Sequence, residues 1–296
     1  MTVAERLARG PILRLDGGMG SMLFARGLGA GDAPERWTLE RGEEIVAIHR
    51  AYVAAGSEAV QTNTFGAHPL RLAAAGLAGR TVEIAARATA LARASGARYV
   101  VGDVGPTGEF LPPVGRGDAD EFRRGFAELG RAFAAAGVDA LHVETMSDLA
   151  EARLALAALL DAAPGVPVMV SLTFERRQRG FFTVMGDRLE AALPALHAAG
   201  AAAVGANCTL ASRDFVALAS VARQAFDGPL VLQPNAGAPR VDREVAVYDQ
   251  SPEAFAADAA ATAAIIGPRG ALGGCCGTDP RFIAALVAEL GRGAGG

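Results

Sequence analysis

Short apolar runs rich in β-branched residues alternate with longer stretches of Ala, Leu, Arg and Glu from one end of the chain to the other, and this alternation constrains the fold more than any other feature. Each pair reads as a βα unit, and such units in series bring their strands side by side in a parallel sheet. The strand candidates are 12–16, 58–63, 99–104, 140–144, 168–174, 203–207, 230–234 and 271–274. The helix candidates are 43–54, 81–94, 120–135, 148–160, 188–198, 213–225, 252–265 and 280–290. Eight units predict an α/β fold closed as a single (β/α)8 barrel of the TIM type, and barrels of about 250 residues commonly form one domain. One domain over 1–296 follows.

Local signals agree with this division. Ser251 before Pro252, and Thr278 or Asp279 before Pro280, fit an N-cap followed by proline in the first turn. Gly56, Gly96, Gly137 and Gly200 stand where helices should end. The tail 291–296 reads as frayed, and 107–118 and 241–250 are the longest irregular stretches, placed to cover the barrel mouth. Apolar residues make up 51% of the chain, enough for a large core, and a net charge of -4 argues against nucleic acid as a partner. The segment 176–179 is the one dense basic stretch and reads as a solvated turn. The N-terminus lacks the apolar core of a secretory signal and the Ala-rich stretch 191–204 is broken by His197 and glycines, so a cytoplasmic protein without a membrane span is expected.

In barrels of this kind the chemistry sits at the C-terminal ends of the strands. All three cysteines fall there, Cys208 after the sixth predicted strand and Cys275 and Cys276 after the eighth. An odd count with two adjacent residues is not a disulfide framework. A Cys-Cys pair taken alone reads first as buried structural thiols. Three thiols at strand ends, preceded by Gly or Asn, read better as a metal site. Catalytic zinc takes three protein ligands, with sulfur at about 2.3 Å, and leaves a fourth position for substrate. Neighbours on a regular strand point to opposite faces, so Cys275 and Cys276 can share an ion only where the backbone leaves β geometry, which Gly273, Gly274 and Gly277 permit.

The segments Leu15-Asp16-Gly17-Gly18-Met19-Gly20, Gln61-Thr62-Asn63-Thr64-Phe65-Gly66, Gly105-Pro106, Glu144-Thr145, Gly205-Ala206-Asn207-Cys208, Pro234-Asn235-Ala236-Gly237 and Gly273-Gly274-Cys275-Cys276-Gly277-Thr278 together resemble the homocysteine S-methyltransferase family. The resemblance runs along nearly the whole chain in the family's order. It implies that Cys208, Cys275 and Cys276 bind Zn²⁺ and that the sulfur of homocysteine completes the tetrahedron. Zinc coordination deprotonates a thiol outright, and methyl transfer to that sulfur gives methionine. The resemblance further implies that Asp16 and Glu144 accept hydrogen bonds from the substrate ammonium group. Backbone N–H groups of Gly17, Gly18 and Met19 suit its carboxylate. The alternative is that Asp16 caps a turn and Glu144 pairs with an arginine.

Asn235 reads as a support for the loop after the seventh strand or as a group that approaches the metal when substrate is absent. Thr62, Asn63 and Thr64 read as pocket lining or as partners in hydrogen bonds within their own loop. His49, His68, His142 and His197 show no ligand spacing and read as structural or surface residues. Trp37 lies in a region that contributes an aromatic surface near the donor in onium-using relatives, and packing is the competing role. The Asn207-Cys208-Thr209 sequon is incidental in a cytoplasmic protein.

For the methyl donor, the resemblance offers S-methylmethionine or S-adenosylmethionine, betaine, or methylcobalamin on a separate domain or protein. The chain ends soon after the last helix, so a small free donor or a partner corrinoid protein is expected. Segments 61–65 and 234–237 resemble most the homocysteine module of cobalamin-dependent methionine synthase, which favours a corrinoid partner. Thr145 stands where betaine-type enzymes carry an aromatic residue. Two other classes stay open: a non-catalytic zinc- or thiol-binding barrel that acts with a partner, and a methyltransferase for another thiol or selenol.

Overall fold

The computed structural model describes residues 1–29, 31–238, 240–242 and 245–293. Along the chain the strands are β1 Leu13–Arg14, β2 Ala59–Gln61, β3 Tyr99–Val104, β4 Ala140–Met146 and β5 Val168–Leu172, followed by a hairpin of β6 Glu175–Arg177 and β7 Gly180–Phe182. They continue with β8 Ala203–Ala211, β9 Leu230–Asn235, a ribbon of β10 Arg240–Asp242 and β11 Val245–Val247, and β12 Gly270–Leu272. Eight of them form one parallel sheet in the order β1-β12-β9-β8-β5-β4-β3-β2. The N–H of Glu58 donates to the Arg14 carbonyl at 2.9 Å, which brings the last edge back to the first and closes the (β/α)8 barrel.

The eight expected helices are α4 Gly42–Ala54, α6 Thr81–Arg93, α7 Ala119–Ala136, α8 Leu149–Ala162, α9 Leu189–Ala198, α10 Ser212–Ala225, α11 Pro252–Ile266 and α12 Pro280–Gly293. Four more, α1 Val3–Arg9, α2 Met19–Phe24, α3 Pro34–Glu40 and α5 Pro69–Ala74, are each about two turns or less. A stripe that short leaves no readable period. Helix α7 illustrates the long ones. Asp118 caps it by accepting from the N–H groups of Asp120 and Glu121, and Phe122, Phe126, Leu129 and Phe133 form one buried face. Burial of each such side chain contributes about 1.5–3 kcal/mol. Gly137, at φ 76 and ψ 44, takes the left-handed turn that ends the helix.

Three details differ from the sequence reading. The basic stretch 176–179 is exposed, as a solvated turn should be, but it belongs to the β6–β7 hairpin, which antiparallel backbone pairing of Glu175–Arg177 with Gly180–Phe182 holds together; the ion pairs of Arg176 with Asp214 at 3.1 Å and of Arg177 with Glu175 at 2.9 Å lie at its surface. Part of 241–250 pairs as the antiparallel ribbon β10–β11, while 243 and 244 lie outside the described residues. Residues 291–293 continue α12, and the rest of the expected frayed tail, 294–296, lies outside the described residues. Among the described residues no helix is long and apolar enough to cross a membrane.

Alternation along the strands sorts the barrel interior into two layers. Leu13, Leu15, Ala59, Val101, Ala140, Met169, Ala203, Val231 and Ala271 form a buried cluster that Val3 and Leu7 of α1 close from below. Two residues further along each of several strands come Gln61, Asp103, His142, Ser171 and Gln233, all buried and polar. Because the side-chain period is two, these share the inward face with the apolar set. The upper layer opens into the site.

Candidate metal centre and substrate pocket

A cavity of about 210 Å³ sits at the C-terminal ends of the strands, and its lining includes Asp16, Asp103, Glu144, Cys208, Cys275 and Cys276. The lining also contains Gly17, Gly18, Met19, Asn63 and Phe65. Its thiol end and its carboxylate end are built differently.

Strand β12 stops at Leu272, so Cys275 and Cys276 lie in the turn beyond it, as sharing one ion requires. The Cys275 N–H donates to the Pro234 carbonyl at 2.8 Å and the Ala236 N–H to the Cys276 carbonyl at 3.0 Å, which fixes the turn against the end of β9. A Cβ at Gly18 would lie 2.7 Å from the Cys275 carbonyl oxygen, so glycine lets the loop after β1 close on the turn. Cys208 arrives from β8 through a register shift between Asn207 and Ala211. Cys208 and Thr209 there have φ of 60 and 55, and the Thr209 hydroxyl donates to the Phe174 carbonyl at 3.0 Å.

These irregularities are concentrated. Among the described residues, the non-glycine positions with positive φ are Thr145, Cys208 and Thr209, all at this site. Such conformations cost roughly 1–3 kcal/mol each and persist where the surroundings enforce them. They aim Cys208 at the other two cysteines.

The three sulfurs lie within 4.8 Å of one another, with Cys208 to Cys276 at 3.7 Å and Cys275 to Cys276 at 4.0 Å. Hydrogen bonds from Cys275 and then Cys276 hold the Cys208 thiol down at about 3, against the opposing effect of burial. Donation to Cys208 pushes Cys275 well up and Cys276 to about 12. Negative charge within the cluster is therefore favoured on Cys208. Asn235 is buried beside Cys208, where its side chain hydrogen-bonds the sulfur and helps lower the thiol, and its Oδ1 has no hydrogen-bond partner. Three soft sulfurs within 4.8 Å of one another fit a metal ion.

At the other end, Asp16, Asp103 and Glu144 converge, and no Lys, Arg or His lines the cavity among the described residues. Burial raises all three; the negative charge of Glu144 raises Asp16 and Asp103 further, and Cys208 raises Glu144. Asp16 accepts from the Gln61 N–H at 2.9 Å, while Asp103 Oδ1 is buried without a hydrogen-bond partner. Glu144 accepts from Gln61 Nε2 at 3.1 Å, the Thr145 hydroxyl at 3.3 Å and the Asn207 amide. Buried acids with spare acceptor capacity and no cation favour a cationic ligand.

Beneath them a chain of side chains supports Gln61. Its Oε1 accepts from Gln233 Nε2 at 2.9 Å and from His142 Nδ1 at 3.4 Å, so His142 Nε2 accepts from the Ser171 hydroxyl at 2.8 Å. Burial keeps His142 neutral by lowering it to about 3.

Other expected residues are placed as follows. The Gly18 N–H donates to the Thr278 hydroxyl at 3.0 Å and is committed within the protein. Thr64 lies outside the lining; its hydroxyl donates to the Asp103 carbonyl at 2.7 Å and bonds the Thr62 hydroxyl at 2.6 Å, so it holds the loop. Asn63 donates to the Pro34 carbonyl at 2.8 Å. Trp37 packs inside α3 with the Arg41 guanidinium 4.5 Å from its ring centre, and Phe65 is the aromatic residue of the lining. His49 and His68 are buried and His197 bonds the Ala201 carbonyl at 2.9 Å; none lines the cavity. The sequence reading gave Asp103 no role; its phase relative to Val101 marks it as inward-facing but does not by itself mark it as a site residue. Asn207 and Gln61 stood in the quoted segments without a role, and Gln233 was not singled out.

A comparison with known proteins agrees with this geometry. The chain is 32% identical to methionine synthase of Mycobacterium tuberculosis over 94% of its length, and 29% identical to that of Mycobacterium leprae over 98%. It spans about a quarter (25%) of the length of either curated relative. The metallated form of the homocysteine methyltransferase MmuM from Escherichia coli superposes with a TM-score of 0.77 at 28% identity, covering 95% of this chain and 96% of that one. Its oxidized form gives 0.79 at 27% identity. The family model described as homocysteine S-methyltransferase matches residues 13–290, and the chain belongs to that family.

Proposed function

We propose that the chain is a zinc-dependent enzyme that transfers a methyl group to the sulfur of homocysteine, forming methionine, with 1–296 acting as one homocysteine-binding barrel. The observation that carries the reading is a single pocket with three convergent thiols at one end and three carboxylates at the other, Asp16 and Asp103 buried and Glu144 half-buried. Homocysteine has a thiol at one end and an ammonium group at the other.

Cys208, Cys275 and Cys276 would hold the zinc, and Asn235 would support the site from beside Cys208. Zinc bound there supplies the acidity that turns an incoming thiol into a thiolate, the nucleophilic form. Asp16, Asp103 and Glu144 receive the ammonium group, whose positive charge offsets the burial, and then the repulsion, that raise them. Gly17 and Met19 offer backbone N–H groups to the substrate carboxylate. The sulfur attacks the methyl carbon in line, a C–S bond forms, and the donor leaves with the electron pair of the bond that breaks. Free thiols of this kind persist in a reducing cytoplasm, where we place the protein.

Segments 61–65 and 234–237 favour a corrinoid-bound methyl on a partner protein over a free onium donor. A donor panel of methylated corrinoid protein, S-methylmethionine, S-adenosylmethionine and betaine, scored by methionine formed from homocysteine, tests the reading. Turnover with one donor is expected. Homocysteine binding without turnover across the panel would instead favour a non-catalytic thiol-binding barrel.

A further inference from the structure

We propose that Asn207 is a positioning residue that sets both ends of the substrate at once, by orienting the Glu144 carboxylate and donating to the Cys275 sulfur; this rests on the reading of the pocket as a homocysteine site. Its side chain is fully buried between β4 and β8. The Thr145 N–H, which can only donate, reaches Asn207 Oδ1 at 2.8 Å and so fixes which way the amide faces. The nitrogen then points to three acceptors: the Glu144 carboxylate, the Thr145 Oγ1 at 2.7 Å and the Cys275 Sγ at 3.7 Å. Thr145 in turn donates its hydroxyl hydrogen to Glu144 at 3.3 Å.

This amide joins two strained turns. Thr145 has φ of 60 beside a register shift in β4, and Asn207 immediately precedes Cys208, also at φ 60, in β8. One turn presents the carboxylate and the other a thiol. A single side chain bonded to both fixes the spacing between the ammonium and sulfur subsites, and a misplacement of about 1 Å costs on the order of 100-fold in rate. The N–H···S contact also withdraws charge from the Cys275 sulfur, as partners of metal ligands do. Asparagine suits the position because its neighbours are acids and thiols: an aspartate would keep the acceptor for Thr145 but lose both donors.

The test uses the full chain loaded with Co²⁺, whose absorption reports thiol binding without any methyl donor. Affinities for homocysteine and for γ-mercaptobutyrate, which lacks the amino group, are compared in wild type, Asn207→Ala and Asn207→Asp. Wild type is expected to prefer homocysteine. Both variants should weaken homocysteine about 10-fold to 100-fold, the usual cost of losing such a partner, while the des-amino thiol changes little. The sulfur-to-cobalt charge-transfer band of the substrate-free protein should move to lower energy. Asn207→Asp keeps size and the Thr145 bond, so it carries the test if the alanine variant fails to fold. Variants that load cobalt and weaken both thiols equally, or keep the wild-type preference, overturn the proposal. A collapsed preference with an unmoved band overturns its Cys275 half. A wild type with no preference overturns the ammonium end of the functional reading and this proposal with it.

Discussion

The lower and upper halves of the barrel interior come from the same strands, with side chains only two residues apart, yet they solve opposite problems. Below, Leu13, Val101, Met169 and Val231 pack against α1 in a dry cluster. Above, Asp103, His142, Glu144, Asn207 and Gln233 pay for burial with hydrogen bonds and, at Asp103 Oδ1 and Gln233 Oε1, leave acceptors unpaired. Backbone strain follows the same division, since the non-glycine residues with positive φ among those described all lie above. The difference teaches that stability is concentrated in one layer and binding in the next. Substitutions should separate the two.

The largest effect is expected from Cys276→Ala. Metal content should fall far below one ion per chain and methyl transfer by at least about 10³-fold, some 4 kcal/mol of lost transition-state stabilisation. Activity that survives in a metal-free variant would break the assignment of chemistry to the upper layer. Next, Met169→Ala, fully buried in the lower cluster, should cost about 2–5 kcal/mol in urea unfolding while the homocysteine Kd stays unchanged. A matching loss of affinity would merge the two layers. Glu144→Gln should weaken homocysteine by about 1.5–3 kcal/mol, the range for a hydrogen bond to a charged group, with little change in unfolding free energy. Thr145→Gly releases a left-handed threonine, and urea unfolding should register a gain of roughly 1 kcal/mol together with weaker homocysteine binding.

How much of this was legible in the sequence differs between the layers too. The eight long helices could be read because their period extends over several turns, as in Phe122, Phe126, Leu129 and Phe133, and the eight barrel strands, some only two or three residues long, because each is an apolar run set between two such helices. Helices α1, α2, α3 and α5 and the two hairpins were not legible; each is too short for a period, and contacts such as the Asn63 amide bonded to the Pro34 carbonyl in α3 help to set them. The cysteines were legible from their positions at strand ends. Asp103 was not singled out, since one acid in a glycine-rich segment has no local signature, and its importance arises only when Asp16 and Glu144 arrive from other strands. For Thr64 the alternative of hydrogen bonding within its loop holds, through the Thr62 hydroxyl, and its hydroxyl also donates to the Asp103 carbonyl of β3.

The pH dependence of stability sharpens the comparison further. Burial and the charge of Glu144 raise Asp103 in the folded protein, so the folded chain keeps a proton that the unfolded chain gives up. Stability should therefore fall as pH rises from about 3.9, the unfolded value of an aspartate, toward the raised folded value. Asp103→Asn should flatten that fall, which urea titrations at several pH values would register. An unchanged slope would mean that Asp103 is not held protonated.

The central claim is that Cys208, Cys275 and Cys276 leave one coordination position for the substrate sulfur. X-ray absorption at the zinc edge, recorded with and without homocysteine, tests it without any methyl donor. Three sulfur ligands at about 2.3 Å are expected in the substrate-free protein and four when homocysteine is added. A sulfur count that stays at three on saturation with homocysteine would contradict it.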